Sequence, residues 1–220
     1  MDWNQLGLPA GAPEELAELA ARYGTPLVEQ VALLSRSGQF GPRIRERTLR
    51  TSGSFAPIGK PDRFGEVCMV VRRPDGTLIT ARKTYYPPET FRLLTGGISH
   101  GEPIFAALLR ETAEETGLEV AVRRFLAAVS YRLNDSPTAE FYTFAFLLDE
   151  LGGTLGAVDE EEQVAAFGSV LPADLPSLAS KLESLGTGYD PEIAGIWQDW
   201  GRFRAIPHRL VYEALRVSDQ

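Results

Sequence analysis

The alternation and clustering of apolar residues along the chain predict strands and helices in mixed order. An apolar run at residues 66–71, a turn signal at Pro74-Asp75-Gly76 and an extended run at residues 77–83 together predict a β-hairpin. Apolar and aromatic runs predict three further strands, at residues 124–131, 140–149 and 163–171. Strands interspersed with helical segments indicate an α/β protein.

Helical spacing of apolar residues is found near both ends of the chain. Pro13 and the acidic residues after it begin a helix that Gly24 ends, and a second helix is predicted over residues 27–38. Towards the C-terminus, residues 190–192 begin one helix and Pro207 begins another. These segments suggest helical extensions on either side of a central domain.

A further helix is predicted from Pro103 to a C-terminal cap at Gly117. The residues expected on its apolar face are Phe105, Leu108, Leu109 and Thr112. Glu111, Glu114 and Glu115 are spaced so that their carboxylates crowd the opposite face. A divalent cation would relieve their repulsion, and hard oxygen ligands favour Mg²⁺ or Mn²⁺.

The segment around this helix has a definite spacing. It reads Gly96, five residues, Glu102, seven residues, and then Arg110 to Leu118. This pattern resembles the Nudix box, G-x5-E-x7-R-E-U-x-E-E-x-G-U, in which U is a bulky aliphatic residue. Every defined glycine and polar position matches, and the departure is Thr112, which replaces an aliphatic residue but removes no ligand.

The resemblance implies a Nudix-type α/β/α sandwich with a mixed sheet and a metal site. In such a site Glu111 and Glu115 would be the principal ligands, Glu114 a further one, and a backbone carbonyl of the glycine pair, at Gly97, would complete the shell. Arg110 would orient the carboxylates as part of the catalytic machinery, and Glu102 would pair within the loop and helix. The general base is left open between Glu111 and a glutamate of the later acidic run, either Glu161 or Glu162.

Arginine and histidine residues outside the box are candidates for substrate contact. Arg43, Arg45 and Arg47 alternate along a predicted strand, where they either protect an exposed edge or bind phosphate. His100 lies in the loop that borders the predicted metal site, and the other histidine, His208, is expected at the surface or as a cap.

Composition places limits on partners and location. The 220 residues are 44% hydrophobic, enough for one substantial core, and the net charge of −8 disfavours nucleic acid and anionic membranes as partners. The absence of a leader or spanning segment and the single cysteine, Cys68, indicate a cytoplasmic protein. Trp197 and Trp200 are expected in the core or in a homodimer interface.

The predicted organisation has three parts. Residues 1–56 form a helical lead-in with a basic strand, residues 57–188 a Nudix catalytic domain, and residues 189–220 a helical extension. The resemblance implies metal-dependent hydrolysis of a phosphoanhydride in a nucleoside diphosphate linked to another moiety, such as a nucleotide sugar or ADP-ribose. The alternatives are a non-catalytic nucleotide or nucleotide-sugar binding protein and, with Cys68 as a reacting group, an isopentenyl diphosphate isomerase. No secondary marker selects the substrate.

Overall fold

A mixed sheet with helices on both faces forms the centre of the molecule. The computed structural model describes residues 2–33, 45–49, 62–133, 139–158 and 162–217. Its eight-stranded sheet has the order β2-β1-β6-β7-β3-β5-β4-β8. The strands are β1 (Leu27–Leu33), β2 (Arg45–Leu49), β3 (Arg63–Arg72), β4 (Leu78–Lys83), β5 (Arg92–Ser99), β6 (Leu118–Leu133), β7 (Phe141–Gly153) and β8 (Val164–Val170).

Four α-helices cover the two faces of this sheet. They are α1 (Ala12–Tyr23), α2 (Ile104–Thr116), α3 (Leu175–Glu183) and α4 (Trp197–Arg216). The core on the side of α1 and α2 includes Val67 and Met69, and the core on the side of α4 includes Cys68 and Val70. Since neighbouring residues of β3 point to opposite faces and both faces are buried, the α/β/α sandwich with a mixed sheet is confirmed.

The second helix predicted near the N-terminus is wrong, because residues 27–33 form strand β1. It pairs in parallel with both β2 and β6 and contributes Val28 to one core and Val31 to the other. A strand that is buried on both faces shows little alternation, so its apolar residues also fit a helical spacing. The first part of the chain therefore contributes strands to the sheet, and the proposed domain boundaries stay a prediction.

The C-terminal segment also differs from its prediction. Residues 190–192 lie in a small hairpin of β9 (Tyr189–Asp190) and β10 (Gly195–Ile196), and α4 then runs unbroken through Pro207. Proline inside a helix removes one hydrogen bond, but the buried face of α4 packs on the sheet on both sides of it. Trp197 and Trp200 are buried in this core.

The predicted orientation of α2 is wrong, although its length and its left-handed cap at Gly117 are confirmed. Leu109 is 42% exposed, whereas Glu111 and Glu115 are buried on the inward face beside Leu108. The carboxylates therefore face the sheet and the loop rather than open solvent.

Two further features of the described residues are the position of His208 and the lengths and polarity of the helices. His208, expected at the surface or as a cap, is buried on the inward face of α4. Within the described residues, no helix is both long enough and apolar enough to span a membrane.

Candidate active site

Strand β5 brings the backbone of the glycine pair, Gly96 and Gly97, against Glu111. A Cβ atom at Gly96 would overlap the carboxylate end of Glu111, and one at Gly97 would lie 2.6 Å from a guanidinium nitrogen of Arg63. Any side chain at position 96 would thus displace Glu111 from its buried position. The glycines of the motif are required here because another chain segment occupies the space of a side chain.

Arg110 is the centre of the first cluster of charges. Its guanidinium donates to both oxygens of Glu102 at 2.8 and 2.9 Å, and to the Gly97 carbonyl at 3.0 Å. It also donates to Glu111 Oε1 and Glu114 Oε2, each at 2.8 Å. The hydrogen bonds from Arg110 lower the pKa of Glu102 and raise the pKa of Arg110 itself. The planar guanidinium therefore fixes β5, the loop that carries Glu102, and the second half of α2 relative to one another.

Lys83 is the centre of a second cluster, one turn further along α2. Its Nζ donates to Glu115 Oε1 at 2.8 Å, and to Glu162 Oε2 and the Glu162 carbonyl, each at 2.6 Å. The lysine is only 7% exposed and Glu115 only 1%. This arrangement joins the end of β4, the end of α2 and the segment before β8.

Burial and the nearby cations shift the carboxyl groups in different directions. Burial raises the pKa of Glu115 to about 7, although Lys83 and Arg92 act against the shift. Burial also raises the pKa of Glu111, again opposed by its hydrogen bond from Arg110. Burial would raise the pKa of Glu162 as well, but the hydrogen bond and charge of Lys83, together with Glu115 and Arg92, lower it by more, and the net shift is downward. The pKa values of adjacent carboxyl groups are thus shifted in opposite directions, as is common at catalytic sites.

The donor set has the chemistry of a site for a hard divalent cation. Within the described residues, no three His, Cys, Asp or Glu side chains are grouped so that they could hold a metal ion. Glu111 and Glu115 are instead paired with Arg110 and Lys83, respectively. Glu115 Oε2, however, is buried and receives no hydrogen bond from a donor group, and the Glu115 carboxyl lies against the carboxyl of Glu162. A buried carboxylate oxygen without a donor is costly unless a cation approaches it, so the oxygen donors of this corner fit a divalent cation.

The predicted substrate contacts lie at different places. His100 is exposed in the loop after β5, with its ring 6.2 Å from that of Phe64. Arg47 lies on β2, five strands from β5, and its Nε forms a 2.5 Å ion pair with Glu29. Arg43, the side chain of Arg45, and Glu161 lie outside the described residues. The structure thus brings together the glutamates of the box, Arg110 and Glu162, but it does not bring Arg47 to them.

Two residues at the site were missed by the sequence analysis. Lys83 ends a strand and carries no motif that would mark it as a partner of the box. Glu15 of α1 caps the box helix, accepting hydrogen bonds from the backbone N–H groups of Ile104 and Phe105, each at 2.9 Å. The N-cap position of α2 is Pro103, which makes no side-chain cap, so this tertiary contact replaces a local one.

Cys68 does not lie where an isomerase would need a reacting thiol. It is fully buried in β3, and burial raises its pKa to about 12. A neutral thiol enclosed in the core is a packing residue. Cys68 therefore belongs to the core, and the isomerase alternative lacks its reacting group.

Known proteins resemble this chain over the same region. The NUDIX domain family matches residues 62–186. A relative described as ADP-ribose pyrophosphatase, from Methanocaldococcus jannaschii, is 30% identical over 120 residues, which cover 54% of this chain and 69% of that protein.

Two solved structures also align with the chain. One is described as UDP-X diphosphatase, with a TM-score of 0.46, 15% identity and coverage of 73% of this chain and 66% of that one. The other is an ADP-ribose pyrophosphatase from Streptococcus suis, with a TM-score of 0.42, 16% identity and coverage of 71% and 93%.

The family match contains both charge clusters and the loop that connects β5 to α2. It covers more than half of the chain, and Gly96, Arg110 and the glutamates of the motif lie within it. This chain therefore belongs to the Nudix family and is a Nudix hydrolase.

Proposed function

We propose that this enzyme hydrolyses a phosphoanhydride bond in a nucleoside diphosphate linked to another moiety, with ADP-ribose and nucleotide sugars as the first candidates. The observation that carries this proposal is the pair of buried box carboxylates, Glu111 and Glu115, beside Glu162, with Glu115 Oε2 receiving no hydrogen bond from a donor. The relative described as ADP-ribose pyrophosphatase supports the choice of substrate class.

Nudix hydrolases generally use divalent metals, and we propose Mg²⁺ or Mn²⁺ here. Glu111, Glu114, Glu115 and the Gly97 carbonyl would hold the cation. When bound, the cation neutralises phosphate oxygens and lowers the pKa of a water molecule. Arg110 would be a positioning residue, because its charge-assisted hydrogen bonds fix the positions of Gly97, Glu111 and Glu114 relative to one another.

Glu162 is the residue we propose as the general base. Its lowered pKa keeps it ionised at neutral pH, and it lies beside Glu115 and shares Lys83 with it. Glu111 is the alternative base, since burial raises its pKa towards the neutral range. His100 and Arg47 stay predicted substrate contacts.

The test is a panel of substrates incubated with Mg²⁺ or Mn²⁺, with and without a chelator. The panel contains ADP-ribose, nucleotide sugars, dinucleotides and nucleoside triphosphates, and products are separated by ion-exchange chromatography. We expect cleavage of the diphosphate of at least one linked nucleoside diphosphate, and loss of cleavage with the chelator. If a nucleotide binds but none is cut, the chain is a nucleotide-binding protein and the proposal fails.

Two further predictions concern the surroundings of the enzyme. A cytoplasmic location is proposed from the composition and from a single cysteine that is buried in the core. A homodimer stays a prediction, and the two tryptophans named for its interface lie in the core of the chain itself.

A further inference from the structure

We propose that Lys83 is a positioning residue of the hydrolase, which holds Glu162 against Glu115 and leaves one oxygen of Glu115 for the cation. This inference rests on the proposed function for its kinetic consequences. Its structural consequences can be measured in the metal-free protein.

The backbone of β4 directs Lys83 into the site. Strands β4 and β8 pair regularly up to Arg82, which lies opposite Ala166, but the register then shifts and Lys83 lies opposite Val164. The extra residue, Ala165, belongs to β8, so the bulge bends β8 and the segment before it, which carries Glu162. Lys83 follows Ile79 and Ala81 on the face of β4 that packs towards α2, where its ammonium group reaches both Glu115 and Glu162.

The hydrogen bonds of Lys83 use all of its donors. An ammonium group has three N–H bonds, and Lys83 has three acceptors within 2.8 Å, namely Glu115 Oε1, Glu162 Oε2 and the Glu162 carbonyl. No donor remains for a substrate phosphate. Lys83 therefore acts through the two glutamates rather than by contact with the substrate.

The contact with Glu115 separates the tasks of its two oxygens. Oε1 accepts from Lys83, whereas Oε2 is buried and receives no hydrogen bond from a donor. A carboxylate whose second oxygen is fixed by a hydrogen bond presents the first in one orientation, as outer-shell partners do for metal ligands. Lys83 thus sets the direction in which Glu115 can offer its remaining oxygen.

The contact with Glu162 holds a chain segment as well as a side chain. Lys83 binds both the carbonyl and the carboxylate of Glu162, and the next residue, Thr84, donates its backbone N–H to the Gln163 carbonyl at 2.8 Å. The segment entering β8 is therefore attached to the end of β4 at consecutive residues. Without Lys83, the position of Glu162 would depend on the weaker contacts of its neighbours.

The test compares Lys83→Met, which keeps the length of the buried stem, with Lys83→Arg, which keeps the charge and the donors. Lys181→Met, at an exposed position of α3, is the matched control for loss of a lysine. In metal-free Lys83→Met we expect amide hydrogen exchange at residues 162–166 to accelerate roughly tenfold or more, with no change in α4. Lys181→Met should exchange like the wild type.

The kinetic arm separates positioning from substrate contact. In Lys83→Met we expect kcat to fall and the Mn²⁺ dissociation constant to rise, each roughly 10- to 100-fold, with KM changed less than about threefold. Lys83→Arg should recover activity to within about tenfold of the wild type. A wild-type kcat and exchange rate in Lys83→Met, or a change in KM alone, would overturn the proposal.

A double mutant tests whether Lys83 acts through Glu162. Glu162→Gln should have a low kcat by itself. The double mutant Lys83→Met/Glu162→Gln should have nearly the same kcat, because both substitutions disable the same Lys83–Glu162 pair. Fully additive losses would contradict positioning. If the wild type cuts no phosphoanhydride, the proposed function fails, and the exchange and Mn²⁺ measurements still decide for or against Lys83.

Discussion

Arg110 and Lys83 each hold glutamates at the active site, but they obtain their partners in different ways. The side-chain acceptors of Arg110 lie at most eight residues away along the chain, and its carbonyl acceptor lies 13 residues away. The partners of Lys83 are 32 and 79 residues away. The first cluster is thus built within one loop and helix, and the second requires the sheet to be formed.

The difference explains what each cluster contributes. A cluster made by neighbouring residues is preserved wherever its segment folds, so it can specify the common chemistry of a family. A cluster made by distant residues depends on the alignment of β4, α2 and β8, and it can vary between members without disturbing the motif. Each variant below changes either contacts between residues that are close in sequence or contacts between residues that are distant in sequence.

Replacing Arg110 should have the largest effect, because it breaks the local cluster. Arg110→Lys keeps the charge but replaces a planar fork of five donors with three, which cannot serve Glu102, Gly97, Glu111 and Glu114 together. We expect kcat/KM to fall roughly 10²- to 10³-fold, or about 3–4 kcal/mol of transition-state stabilisation. Steady-state kinetics with saturating Mg²⁺ measure this loss.

The control for that variant is Arg123→Lys. Arg123 is exposed and pairs with Asp149 on the other side of the sheet from the box loop. Its replacement should change kcat/KM by less than about twofold, as exposed ion pairs contribute little. Equal activity in Arg110→Lys and Arg123→Lys would show that Arg110 does not organise the site.

His208 supports β5, the strand that carries the glycine pair, from a distant part of the chain, and it should make the protein sensitive to acid. Its Nε2 accepts the backbone N–H of Leu93 in β5 at 2.9 Å, and Nδ1 contacts the Arg204 carbonyl at 2.7 Å. Burial lowers the pKa of His208 to about 3, so folding favours the neutral imidazole. The stability it contributes is complete above pH 6.5 and is lost as the pH falls towards 3.

The corresponding measurement is denaturant unfolding at pH 7 and pH 5. The wild type should lose about 2 kcal/mol over this interval from His208 alone, and His208→Gln should lose correspondingly less. His100→Gln, at an exposed position, should keep the full acid sensitivity. An unchanged pH dependence in His208→Gln would mean that His208 is not buried as a neutral acceptor.

The contact of Glu15 with the box helix should have the smallest effect of the three. Glu15→Gln removes the charge that faces the first N–H groups of α2, and we expect a loss of about 1 kcal/mol in the free energy of unfolding. Glu18→Gln is the control on the same helix, since Glu18 is exposed. Equal stability of the two variants would show that the long-range cap contributes nothing measurable.

The local parts of the site could be predicted from the sequence. The helix from Ile104 to Thr116 and its cap at Gly117 follow from short-range spacing, and the resemblance to the Nudix box implied glycine at position 96, where Glu111 occupies the space of a side chain. Thr112 is compatible with the buried face because its hydroxyl donates to the Leu108 carbonyl at 2.6 Å. The inward orientation of Glu111 and Glu115 could not be predicted from the sequence, because charged residues are normally assigned to the solvent face of a helix.

The parts that depend on distant contacts could not be predicted. Residues 27–33 have an apolar spacing that fits a helix, and only their pairing with β2 and β6 makes them a strand. His208 follows a proline that normally begins a helix, and its burial results from the packing of α4 against β5. Lys83 and Glu15 were missed for the same reason, since their partners are far away in sequence.

The most direct test of the account is to measure Mn²⁺ binding and ADP-ribose hydrolysis in the same preparations of wild type, Glu115→Gln and the exposed control Glu119→Gln. The account predicts that the wild type and Glu119→Gln bind Mn²⁺ and share the same turnover. Glu115→Gln should lose both roughly 100-fold or more. Full activity in Glu115→Gln, or hydrolysis by a wild type that binds no divalent cation, would contradict the assignment of this buried corner as the metal site.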